Sequence, residues 1–162
     1  MKIKELENVI RRFNKDLYAF AYGLQSSEAT AQEMVLEAVF IFLEKKREQE
    51  VSSELELDSS LEGFRHILQI KIDLYKEVYS SGIRKTEIPA NKVGDKNFLP
   101  FYCLEKSQRA VLFLRQKTAF DKAEIEQIIG VNRPELLALL SRSRNQLMNN
   151  IGLSWNEWAQ HG

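Results

Sequence analysis

The sequence predicts an all-α chain of two small helical domains joined by a linker, the C-terminal domain a helix-turn-helix. Three observations predict it. Apolar residues recur at three- and four-residue spacing through most of the chain, several of these segments open on a capping pattern, and Gly82, Pro89, Gly94 and Pro100 gather in one aperiodic stretch. The domains are placed at 1–81 and 102–162, with residues 82–101 as the linker.

The first helix carries Ile10, Phe13, Leu17, Phe20, Ala21 and Leu24 on one face and ends at Gln25-Ser26-Ser27. Thr30 with Glu33 has the form of a capping box, so the second helix is expected to start near Thr30 and run to about Gln49. An acidic stretch follows, with Glu50, Glu54, Glu56 and Asp58 and no basic residue, as in a solvated loop. Ser59 with Glu62 offers another cap for a helix carrying Phe64, Ile67, Leu68, Ile70, Leu74 and Val78, which stops at Ser80-Ser81-Gly82.

Beyond the linker, a helix opens near Leu104. Asp121 and Glu124 then cap a short helix that Gly130 ends, and Asn132 and Glu135 cap a longer one with Pro134 in its first turn, where a missing N–H is harmless. A helix of about nine residues, a tight turn after glycine and a longer helix form a helix-turn-helix pattern. Ser154 with Glu157 caps a last short turn carrying Trp155 and Trp158.

Composition narrows the function. Lys plus Arg and Asp plus Glu each total 23 of 162 residues, so any DNA contact must come from local patches. One cysteine, Cys103, and two distant histidines give no metal-ligand spacing and no internal disulfide, which fits a reducing, cytoplasmic setting with no metal or cofactor. No apolar stretch is long enough to span a bilayer. Neither His66 nor His161 has a neighbour for acid–base work, and no glycine-rich phosphate loop exists, so neither an enzyme nor a small-molecule substrate is expected.

The segments "FNKDLYAFAYGL", "TAQEMVLEAVF", "LEKSQRAVLFLR" and "EIEQIIGV", in that order, resemble the two-domain sigma factors of bacterial RNA polymerase, the extracytoplasmic-function group. The resemblance implies an alternative sigma factor whose partners are core RNA polymerase, promoter DNA and an anti-sigma factor. Glu33, Met34, Val35, Glu37 and Phe40 would face polymerase, while Lys71, Tyr75, Lys76, Arg84 and Lys85 would lie along the downstream promoter element. A basic, aromatic-bearing helix is what single-stranded DNA needs. Asn132, Arg133, Ser141, Arg142 and Arg144 would serve the upstream element.

The helix that should read DNA also carries leucines where such factors often have Lys and Arg. With Leu136 on the packed face, Leu140, Ser143 and Leu147 fall beside it; Leu139 lies at its margin and Leu137 about 100 degrees away. A second reading follows: a sigma-like adaptor that binds protein partners through Leu137, Leu139, Trp155 and Trp158 without reading DNA. Leu36 and Asp73, which replace a common glutamine and asparagine of the family, also favour it.

Overall fold

The computed structural model describes the backbone of residues 3–49, 61–89 and 92–161 and the side chains of 4–49, 63–89 and 92–152. Among the described residues every regular element is helical, as the periodicity requires: α1 (Ile3–Leu24), α2 (Glu28–Gln49), α3 (Leu61–Arg84), α4 (Leu99–Tyr102), α5 (Lys106–Lys117), α6 (Lys122–Ile129) and α7 (Arg133–His161). A 3-10 turn, Lys96–Phe98, precedes α4 and is capped by Asp95, whose carboxylate accepts from the Asn97 amide at 2.9 Å.

Three boundaries differ from expectation. α2 starts at Glu28, not near Thr30, because Ser27 is the cap and its hydroxyl accepts the Thr30 amide at 3.3 Å. α3 runs through Ser80-Ser81-Gly82 to Arg84. Gly82 keeps helical geometry there and lets three helices close, since a Cβ would stand 2.8 Å from Met34 Cε and 3.0 Å from Leu24 Cδ1. α7 continues without a break past Ser154, so the expected separate C-terminal turn is part of one 29-residue helix. The Ser59 cap and the acidic residues 50–58 lie outside the described residues.

The two halves share one core. In the N-terminal half, α1, α2 and α3 bury Leu17, Phe20, Leu24, Met34, Ala38 and Leu74; in the C-terminal half, α5, α6 and α7 bury Leu114, Ile125, Ile128, Leu136 and Leu140. Aromatic rings join them: Phe20 lies 5.5 Å from Phe113 and 5.1 Å from Tyr75, and Phe120, in the turn between α5 and α6, meets the Tyr75 ring edge-on at 4.9 Å.

Polar bonds reinforce the junction. Arg109 of α5 is buried and donates to the carbonyl of Leu24 at the end of α1 and to the Glu87 carboxylate, both at 2.7 Å, and to the Leu104 carbonyl. Its guanidinium thus takes up a carbonyl that α1 leaves without a helical partner. The Tyr102 hydroxyl donates to the Tyr22 carbonyl at 2.9 Å, and the Lys106 ammonium to the Lys85 carbonyl.

Candidate nucleic-acid and partner interfaces

On α2, the helical period divides the expected polymerase-facing residues. Met34 and Val35 are buried, and their side chains belong to the core, so they correct that part of the expectation. Leu36 and Phe40, four residues apart, are 72% and 64% exposed and line a groove with Ala29, Gln32, Glu33 and Glu37. Sequence reasoning passed over Leu36 as a contact because it looked for a polar residue there.

The groove's carboxylates are already engaged. Lys85 stands 3.1 Å from Glu33 and 3.2 Å from Glu37, and Arg84 stands 3.4 Å from Glu37. Buried Ser81 donates to Glu37 at 2.7 Å and, with the two cations, holds its carboxyl below the usual carboxylate range. The same pairs raise the Lys85 ammonium above its ordinary value, with the Glu33 bond the leading cause.

On α3, the expected DNA face is largely covered. Tyr75 is buried against Phe20 and Phe120, and burial pushes its hydroxyl far above the ordinary value, so its ring has no face to offer a base. Lys71 lies 5.4 Å from the Phe13 ring and 5.2 Å from the Phe120 ring, a cation between two aromatic faces. Both corrections have the same two causes: α1, through Phe13 and Phe20, and the turn at Phe120 pack on this part of α3. Lys76 stays exposed, as does Phe64 near the start of the helix.

The α6–α7 unit is built as its caps dictate. Asp121 accepts the Glu124 amide at 2.8 Å and Glu124 accepts the Asp121 amide at 3.1 Å. Gly130, at φ 78, closes α6 in the left-handed region that glycine enters freely. Asn132 accepts the Glu135 amide at 3.0 Å and donates to its carboxylate at 3.3 Å, so this side chain is spent as a cap and not left for phosphate. Arg133 makes two bonds to Glu126, at 3.1 and 3.0 Å.

Along α7, Leu136, Leu139, Leu140 and Ser143 are buried, so Leu139 is core and not a partner contact, while Leu137 is 46% exposed. Ser141, Arg142 and Arg144 are exposed. The side chains of Trp155 and Trp158 lie outside the described residues. Leu137 lines a cavity of about 240 Å³ with Arg115 from the end of α5, Lys122 from the start of α6, and Ser141, Arg144 and Asn145.

Arg115 and Lys122 are not among the residues the sequence points to, because the helix-turn-helix pattern singles out only its second helix. Their signal was positional: the last turn of one helix and the first residue of the next flank the helix that follows. Among the described residues no group of three or more His, Cys, Asp or Glu side chains could hold a metal ion, and no helix is long and apolar enough to cross a membrane.

No protein-family model matches the chain, and no curated protein does. Among solved structures, the co-crystal structure of the sigma factor RpoE in complex with the anti-sigma factor NepR from Bartonella quintana contains a similar chain, the sigma factor. The two share 19% identity and superpose with a TM-score of 0.61 over 93% of this chain and 98% of that one. The likeness extends through both halves, and at this identity it is a likeness of fold: the chain shares the all-α fold of the sigma factor RpoE.

Proposed function

We propose that the chain is an alternative sigma factor that docks on core RNA polymerase through α2 and holds the upstream promoter element with α6 and α7 acting as a helix-turn-helix. One observation carries this reading. All four carboxylates of residues 120–150 serve inside the fold, Asp121, Glu124 and Glu135 at caps and Glu126 on Arg133. Lys122, Arg142 and Arg144 of this segment make no ion pair among the described residues, nor does Arg115 just before it, so the neutral count of the segment conceals an open cationic face.

On α2, exposed Leu36 and Phe40 beside Glu33 and Glu37 suit a partner surface that is apolar at its centre and basic at its edge. Promoter melting by α3 requires the Phe120 turn to move off Tyr75 and Lys71. The test is transcription in vitro with core polymerase and a pool of genomic promoter fragments, with and without the protein at low salt. Specific transcripts that depend on the protein support the reading, and their absence despite polymerase binding defeats it.

The adaptor reading draws on the covered α3 face, which suits a protein that binds other proteins and leaves DNA alone. Its partner would be an anti-sigma factor or polymerase, and its place the cytoplasm. The sigma factor RpoE, whose fold this chain shares, was crystallised with an anti-sigma factor, and that supports a regulator of the same class for either reading.

A further inference from the structure

The leucines at 137 and 139 remove two places where a DNA-reading helix usually carries cations, yet the cavity beside Leu137 gathers three from elsewhere. Arg115 lies in the last turn of α5, Lys122 opens α6 and Arg144 stands about three turns into α7, so three different helices converge on one space. No carboxylate lines it. Asp121, the acid adjacent to Lys122 in the chain, is held at the α6 cap by the Glu124 amide. Lys122 also begins a helix whose N-terminal amides favour an anion.

Ser141 and Asn145, exposed on α7, add neutral hydrogen-bonding groups to the lining. The volume, about 240 Å³, is several times the roughly 30 Å³ that a water occupies in the liquid, enough for a tetrahedral anion with part of its hydration shell. The lining is mostly polar, and Leu137 and Leu140 are its apolar members. An apolar segment would leave all three cations desolvated and unpaired here, whereas a phosphate pairs with each of them.

We propose that Arg115, Lys122 and Arg144 form a phosphate seat that grips a backbone phosphodiester of duplex DNA, so that an apolar reading helix is anchored by cations mostly supplied from its flanks. The proposal rests on the reading that α7 faces DNA. Arg115 and Arg144 are exposed and Lys122 is partly so, which leaves the seat open to a strand running along the edge of a groove. Exposed Leu137 is then the wall of this seat and lies toward the base edges.

The experiment is duplex-DNA binding by the full chain as a function of salt, using a random-sequence duplex pool. It compares wild type, the triple variant Arg115→Ala, Lys122→Ala, Arg144→Ala, and Lys117→Ala, an exposed α5 cation outside the seat. The seat neutralises one phosphate, so the triple variant should lose about 0.9 from the slope of log K against log salt and weaken across all sequences, with Lys117→Ala close to wild type. A triple variant that melts like wild type and keeps its slope overturns the seat.

A parallel titration with inorganic phosphate at fixed ionic strength, followed by the amide resonances of Lys122 and Ser141, separates the sources. Saturation by free phosphate with no duplex binding overturns the assignment to DNA. The transcription assay keeps this result apart from the sigma reading. If wild type and triple variant transcribe alike with equal slopes, the seat fails and the sigma factor stands; if wild type neither binds duplex nor yields transcripts, both fall.

Discussion

Two helices of this protein were expected to meet DNA, and they have opposite surroundings. On α3, Lys71 is held between two phenylalanine rings, Tyr75 is buried, and Arg84, with Lys85 just past the helix end, is paired with the carboxylates of α2, which leaves Lys76 exposed. On the α6–α7 side the acids are the committed groups and the cations are open. A segment with a net basic excess is thus largely neutralised and covered, while a segment of zero net charge presents a cationic face. Charge counts describe a stretch of sequence; the contacts decide which sign reaches solvent.

The largest expected effect comes from removing the junction that covers α3. Arg109→Ala leaves the buried Leu24 and Leu104 carbonyls without their donor and opens a cavity between the halves, which should cost about 3 kcal/mol in urea denaturation. The same variant should bind single-stranded DNA more tightly than wild type, because a loosened junction lets the Phe120 turn leave Lys71 and one side of Tyr75, which Phe13 and Phe20 of α1 still contact. Stability within about 0.5 kcal/mol of wild type would mean that the junction contributes little, and the contrast between the two faces would lose its structural basis.

On α7, Arg133→Ala is expected to weaken binding to an upstream element by about 1 kcal/mol, the low end of the range for a base-edge contact, because Glu126 must first release the guanidinium. Equilibrium binding to a fragment selected from the transcribed pool measures it. Glu126→Gln should move affinity the other way. If both variants bind like wild type, Arg133 serves the fold alone.

Much of this architecture is legible in the sequence, and the failures share a cause. The helical wheel of α7 correctly separates exposed Leu137 from buried Leu136 and Leu140, because helix geometry and one core face determine both. Tyr75 and Lys71 fail because a second surface, from residues far along the chain, packs on the side that local period leaves open. The start of α2 fails for a local reason: Ser27-x-x-Thr30 and Thr30-x-x-Glu33 both look like caps, and the turn at Gln25 and Ser26 selects the first. Arg115 and Lys122 are legible only after the helix-turn-helix is placed, since their meaning lies in which helix ends flank α7.

Leu137→Lys separates the two functional readings at the residue that raised the question. In a DNA-reading helix it adds a cation beside the seat, so the salt slope should steepen by about 0.9, and the affinity gain between 200 and 50 mM salt should grow about threefold. In an adaptor the same change places an ammonium in an apolar contact and should weaken the partner. Binding of duplex and of a co-purified partner, measured on one preparation, decides between them.

The smallest effect tests why the α3 cations are unavailable. Glu37 has its carboxyl held below the ordinary value, first by Ser81 and then by Lys85 and Arg84. A group whose folded value is depressed contributes stability that is present above its unfolded value and is lost as pH falls through the folded one. The contribution should therefore be constant at neutral pH and fade below the ordinary value of 4.5, toward the lower folded value. Glu37→Gln should flatten the stability profile in that acid window and, by freeing Arg84 and leaving Lys85 paired with Glu33 alone, should increase binding of single-stranded DNA at neutral pH, an increase that salt suppresses. An unchanged acid profile would show that solvent screens these pairs and that, of the α3 cations, only Lys71 is withheld from DNA, by the rings of Phe13 and Phe120.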